Sequence, residues 1–76
     1  MVDKLGGKIM DFEKICRRIR GKRTEVGITQ LEMANKLDLA PNTYNFKEQG
    51  KREFTIKELI QICEILQCKI TDIFLE

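Results

Sequence analysis

From Pro41 to Gly50 the chain reads PNTYNFKEQG. If that segment is helical, Asn42, Asn45, Phe46 and Gln49 fall on one face by their i, i+3, i+4 and i+7 spacing. That face holds three carboxamides and one aromatic ring, with no formal charge. The solvent side of an ordinary helix is charged and polar, so an amide face asks for another purpose. A carboxamide donates and accepts at once, matching the N6/N7 edge of adenine and bonding phosphate oxygens as well, and an exposed ring packs on a thymine methyl. The chemistry is that of reading base edges in a DNA groove. The opposite side carries Tyr44 as the buried anchor and Lys47, whose aliphatic stem can cover apolar surface while its ammonium reaches water. The alternative register turns Phe46 inward and removes the amide face.

Other chemistries find little in the sequence. There is no histidine, and the three cysteines, Cys16, Cys63 and Cys68, match no disulfide framework or zinc spacing. A nucleophilic Cys63 or Cys68 would lack a histidine base. Gly50-Lys51 lacks the upstream glycine of a phosphate-binding loop, and no paired-carboxylate cleft is indicated. No metal, no cofactor, no small-molecule ligand and no catalysis are therefore expected. Cys16 and Cys63 fall on apolar helix faces, where a reduced cysteine acts as a small hydrophobe; Cys68, near a helix end, is read the same way.

The elements that must hold the amide face follow from periodicity. A chain of 76 residues makes one domain with a small core. No apolar run approaches the roughly 18 residues of a membrane span, and the N-terminus has no apolar signal region, so the expected location is the cytosol. Residues 1–27 hold eight Lys/Arg against four Asp/Glu, while residues 28–50 and 51–76 each come to −1; local basicity is the informative quantity. Residues 1–10, with Gly6-Gly7, read as a flexible arm, and residues 11–76 as the domain. Phe12, Ile15, Cys16 and Ile19 predict a helix from Asp11 to about Glu25, capped by Gly27. Thr29 and Glu32 form a capping box for a short helix whose buried stripe is Leu31, Ala34 and Leu37, assisted by Met33. Asp38-Leu39-Ala40 is a tight turn, and Pro41 sits where a first helical turn tolerates it. Thr55 and Glu58 form a second capping box, after which Ile56, Leu59, Ile60, Ile62, Cys63 and Leu66 drive an apolar helix to about Gln67. Thr71 is the expected cap of a last piece carrying Ile70, Ile73, Phe74 and Leu75. The fold class is all-α, a compact bundle of four to five helices.

Two short helices joined by a turn of three or four residues form a helix-turn-helix, whose second helix enters the major groove. Residues 27–74 as an ordered set, with Gly27-Ile28-Thr29-Gln30, Ala34 to Leu37, Glu48-x-Gly50-Lys51 and the Asp72-Ile73-Phe74 ending, resemble the lambda-repressor-like (Cro/cI, XRE) helix-turn-helix family. The likeness covers about residues 12–75, and the run from Tyr44 to Thr55 is similar to phage and Firmicute-type regulators. It implies base-facing positions at Pro41, Asn42, Asn45 and Phe46, and phosphate-facing ones at Gln30, Thr43, Gln49 and Lys51. It also implies that Arg23 and Glu48 pair to tie the first helix to the recognition helix, and that Gln30 braces the latter. Two positions depart from the pattern. Pro41 stands where a polar residue is frequent and can donate nothing to a base. Lys22 stands where leucine is common.

The expected function is that of a small sequence-specific regulator, a repressor of phage or mobile-element type, reading a near-palindromic double-stranded operator with helix 41–49 as a homodimer, at least on DNA. The apolar tail is either its dimer surface or only the closure of a small core. A protein-interaction module or antitoxin-like partner protein on the same fold is the alternative.

Overall fold

The computed structural model describes residues 11–75; the arm expected for residues 1–10 lies outside them. Five helices are described: α1 (Phe12–Val26), α2 (Gln30–Lys36), α3 (Pro41–Glu48), α4 (Ile56–Leu66) and α5 (Ile70–Phe74). Local chemistry sets most of their ends. Asp11 caps α1 by accepting from the Lys14 N–H at 2.9 Å. Gly27 ends it at φ 91, a left-handed conformation that glycine adopts without steric penalty. Thr29 and Glu32 close a reciprocal capping box at α2, as do Thr55 and Glu58 at α4; each box satisfies two backbone donors that a helix start leaves unpaired. Pro41 opens α3 behind the extended Ala40.

α2 packs chiefly on α3, while α1 lies against α3, α4 and α5. The buried core runs through Ile15, Cys16 and Ile19 of α1, Met33, Ala34 and Leu37, then Tyr44, Phe54, Ile62, Cys63, Leu66 and Ile73. Tyr44 is fully buried, its ring tilted against Phe54 with centroids 6.1 Å apart.

Three expectations change. The expected buried stripe of α2 includes Leu31, yet that residue is 55% exposed and Met33 is the wholly buried one. A helix of two turns supports either stripe by spacing alone, and docking against α3 selects the one through Met33, Ala34 and Leu37. Thr71 does not cap α5. Lys69 is the extended residue before it, and Asp72 accepts from the Lys69 N–H at 2.9 Å. The ammonium of Lys47 does not stand free in solvent: the residue is buried and its Nζ lies 2.6 and 2.9 Å from the two carboxylate oxygens of the half-buried Glu58. On α4, Ile56 and Ile60 point outward, as do Ile70 and Leu75 around α5.

Candidate nucleic-acid interface

The outer face of α3 is positioned by what lies behind it. Glu48, at the last turn of α3, is buried and its carboxylate accepts four hydrogen bonds. Arg23 Nε reaches Oε2 at 2.7 Å and Arg23 Nη2 reaches Oε1 at 3.0 Å. The Tyr44 hydroxyl donates to Oε2 at 2.6 Å, and Gln30 Nε2 donates to Oε1 at 2.9 Å. Arg23 also donates through Nη1 to the Ile28 carbonyl at 2.7 Å. One carboxylate thus ties the end of α1, the α1–α2 link, the start of α2 and two turns of α3.

Burial alone would push the Glu48 carboxyl up, but the hydrogen bonds from Arg23, Tyr44 and Gln30 outweigh it and hold the group below the ordinary carboxylate range. Burial and the bond to Glu48 push the Tyr44 phenol well above its ordinary value, so it stays a neutral donor. A charge-assisted, fully satisfied network of this kind fixes geometry as much as it stabilises.

A second, partly buried pair braces α3 against α4. Lys47 joins Glu58, the residue whose side chain also accepts from the Thr55 N–H at 2.9 Å. Burial pushes Glu58 up, and Lys47 and Thr55 together bring it below the ordinary range. The carboxylate that caps α4 is therefore the same one that holds α3.

With Tyr44, Lys47 and Glu48 turned inward, the rest of α3 faces out. Pro41, Asn42, Phe46 and Gln49 are exposed, and Thr43 and Asn45 half-buried. Phe46 is 43% exposed while Tyr44 is fully buried, so the register with Phe46 in the core does not occur. Gln49 Nε2 donates to Asn45 Oδ1 at 3.1 Å, linking two amides along the helix. At the edge of the face, Lys51 Nζ stands 5.9 Å from the centre of the Phe46 ring, within cation–π range. Gln30 is half-buried at the first position of α2.

Sequence reasoning missed two members of this arrangement: the Tyr44 hydroxyl and the Lys47–Glu58 pair. Tyr44 and Glu48 are four apart, the spacing at which helix side chains meet, so the first carried a signal. A shallow depression on α1, lined by Lys14, Arg17, Arg18, Gly21, Lys22 and Glu25, shares no residue with the α3 face. Among the described residues no group of three or more Cys, Asp and Glu could hold a metal ion, and no helix is long and apolar enough to cross a membrane.

Comparisons with known proteins agree with this geometry. The family profile described as "Helix-turn-helix" matches residues 19–73. An uncharacterised HTH-type transcriptional regulator of Archaeoglobus fulgidus is 33% identical over 58 residues, which is 76% of this chain and 83% of that protein. The restriction-modification controller protein C.AhdI of Aeromonas hydrophila superposes with a TM-score of 0.76 over 84% of this chain and 97% of its own, at 23% identity, a likeness of fold. The controller protein C.Esp1396I, solved bound to a 25 base pair operator site, superposes with a TM-score of 0.66 at 31% identity over 76% of each chain. The chain belongs to the Cro/cI-like (XRE) helix-turn-helix family of DNA-binding transcriptional regulators.

Proposed function

We propose that this regulator is a small repressor of phage or mobile-element type that lays α3 in the major groove of a near-palindromic operator. The observation that carries the reading is the uncharged outer face of α3, set on a helix whose inner face is fixed by Glu48 and Lys47. Asn42 and Asn45 are the base readers, because each can donate and accept against adenine. Phe46 packs on a thymine methyl beside them. Pro41 contributes only shape. Gln49, Thr43 and Lys51 meet phosphates on the flanks, and Gln30 spends one amide hydrogen on Glu48 while offering the other to a phosphate.

The related controller protein solved on an operator supports the DNA partner. A homodimer follows from the usual geometry of this motif, whose two recognition helices sit about 34 Å apart on one DNA face. The exposed Ile70 and Leu75 give the subunits an apolar surface to share. No enzymatic role is assigned, in line with a family of regulators, and a bacterial or infected-host cytosol is the compartment in which such an operator is met.

Selection of bound sequences from a random duplex pool at about 150 mM salt, where non-specific phosphate binding is already weak, tests the proposal. Enrichment of a near-palindrome with half-sites about 10 bp apart is the expected result. A lone half-site would remove the dimer. No enrichment, with DNA binding absent even at low salt, would overturn the reading in favour of a protein-interaction module.

A further inference from the structure

Cys63 and Cys68 bracket the C-terminal cap of α4. The Cys68 N–H donates to the Cys63 carbonyl at 3.0 Å and the Gln67 N–H to the Glu64 carbonyl at 3.2 Å, with Gln67 between them at φ 54. This is a Schellman arrangement, which folds the side chain after the left-handed residue back over the last helical turn. In most helices two apolar groups meet there. Here the two residues at those positions are both free cysteines. The backbone bond from Cys68 to Cys63 brings the two residues together across the cap, the first condition for a disulfide between them.

The pair is also asymmetric. Cys63 is 6% exposed, whereas Cys68 is half-buried at the edge of the core. Burial, with Cys68 adding to it, pushes the Cys63 thiol up to about 11. The third thiol, Cys16, is 2% exposed and donates to the Lys47 carbonyl at 3.3 Å, so its environment is a different one.

We propose that Cys63 and Cys68 form a redox-modification site, closed by peroxide-class oxidants into an intrachain disulfide that fixes the α4–α5 turn to the last turn of α4. Cys68, the more accessible sulfur, attacks one peroxide oxygen as a thiolate. The O–O bond breaks, a sulfenic acid forms on Cys68, and the departing hydroxide takes the thiol proton to leave as water. The Cys63 sulfur then attacks the sulfenic sulfur. The S–S bond forms, the S–O bond breaks, and the second hydroxide leaves as water with the Cys63 proton. Two thiols lose two electrons in total, and one peroxide becomes two waters. α5 packs on α1 and α4 and carries the exposed Ile70, so the bridge would stiffen the junction beneath that apolar surface.

Hydrogen peroxide added to the folded full-length chain, followed by thiol counting in denaturant and peptide mapping by mass spectrometry, tests this. The free thiols should fall from the three present in the sequence to one. The lost pair should map to one peptide spanning residues 63–68, lighter by two hydrogens, and dithiothreitol should restore it. Amide exchange at Gln67 and Cys68 should slow by about tenfold on oxidation, since a local opening is being closed. Cys68→Ser, at a partly exposed position, should retain two thiols under the same treatment. Three surviving thiols in the unsubstituted chain, a bridge that includes Cys16, covalent dimers, or Cys68 running on to sulfinic acid with Cys63 untouched would each overturn the proposal. So would unchanged amide exchange in a chain that does form the bridge.

Discussion

Arg23 meets Glu48 side by side, two guanidinium nitrogens against two carboxylate oxygens at 2.7 and 3.0 Å, with side-chain exposures of 9% and 1%. The pair joins residues 25 positions apart in sequence and fixes α3 to the end of α1. Neither group lies on the amide face, yet both hold the helix that carries it.

Removing one side of such a pair leaves the other charge buried and uncompensated, at a cost of roughly 3–5 kcal/mol. Arg23→Ala should lower the unfolding free energy obtained from urea titration by about that amount. Combining it with Glu48→Gln should cost less than the two single losses added together, because the orphaned charge is gone. Additive losses would mean that the two residues stabilise the fold independently.

Acid should unfold the protein through the same groups. Glu48 and Glu58 both sit below the ordinary carboxylate range when folded. A carboxylate with a depressed folded pKa contributes stability that is fully present above its unfolded value, about 4.3 for glutamate, and that is lost as pH falls through the folded value. Stability measured by urea titration should therefore hold level from neutrality to about pH 5 and decline below it. Glu48→Gln should flatten part of that decline.

Lys47 and Glu58 offer an asymmetric test. Lys47→Met removes the ammonium and leaves Glu58 with the Thr55 N–H and a rim of solvent. Glu58→Ala leaves the buried Lys47 unpaired and also removes half of the α4 capping box, itself worth about 1 kcal/mol. Glu58→Ala should therefore be the more destabilising change by thermal melting. The reverse order would show that the cap and the pair do not share one carboxylate in solution.

What the sequence makes legible is local. Thr29 with Glu32 and Thr55 with Glu58 announce their helices because a capping box is complete within four residues. Tyr44 as anchor and Phe46 outside follow once the register of α3 is chosen. Arg23 and Glu48, by contrast, are tied only by tertiary structure, and it was the family pattern that suggested them. The Lys47–Glu58 pair crosses a connector whose path no periodicity describes, so the sequence shows the lysine but not its partner. Leu31 and Met33 could exchange roles in a seven-residue helix until α3 decided between them.

The roles assigned on α3 separate by how binding changes, not by whether it weakens. Asn42 is exposed and makes no side-chain hydrogen bond among the described residues, so Asn42→Ala should leave the melting temperature alone. At the preferred site it should cost on the order of 1–3 kcal/mol and relax the base preference there. Lys51→Ala should weaken all sequences alike and reduce the slope of log affinity against log salt by about one. Gln30→Ala should do both kinds of damage, losing a phosphate contact and withdrawing one of the four bonds to Glu48; its binding loss should come with a lower urea midpoint. Fluorescence titrations of the selected duplex and of one scrambled duplex, each at three salt concentrations, distinguish these patterns. Should Asn42→Ala leave discrimination between the two duplexes intact, sequence is read elsewhere on the protein, and the exposed amide face is a support for phosphates alone.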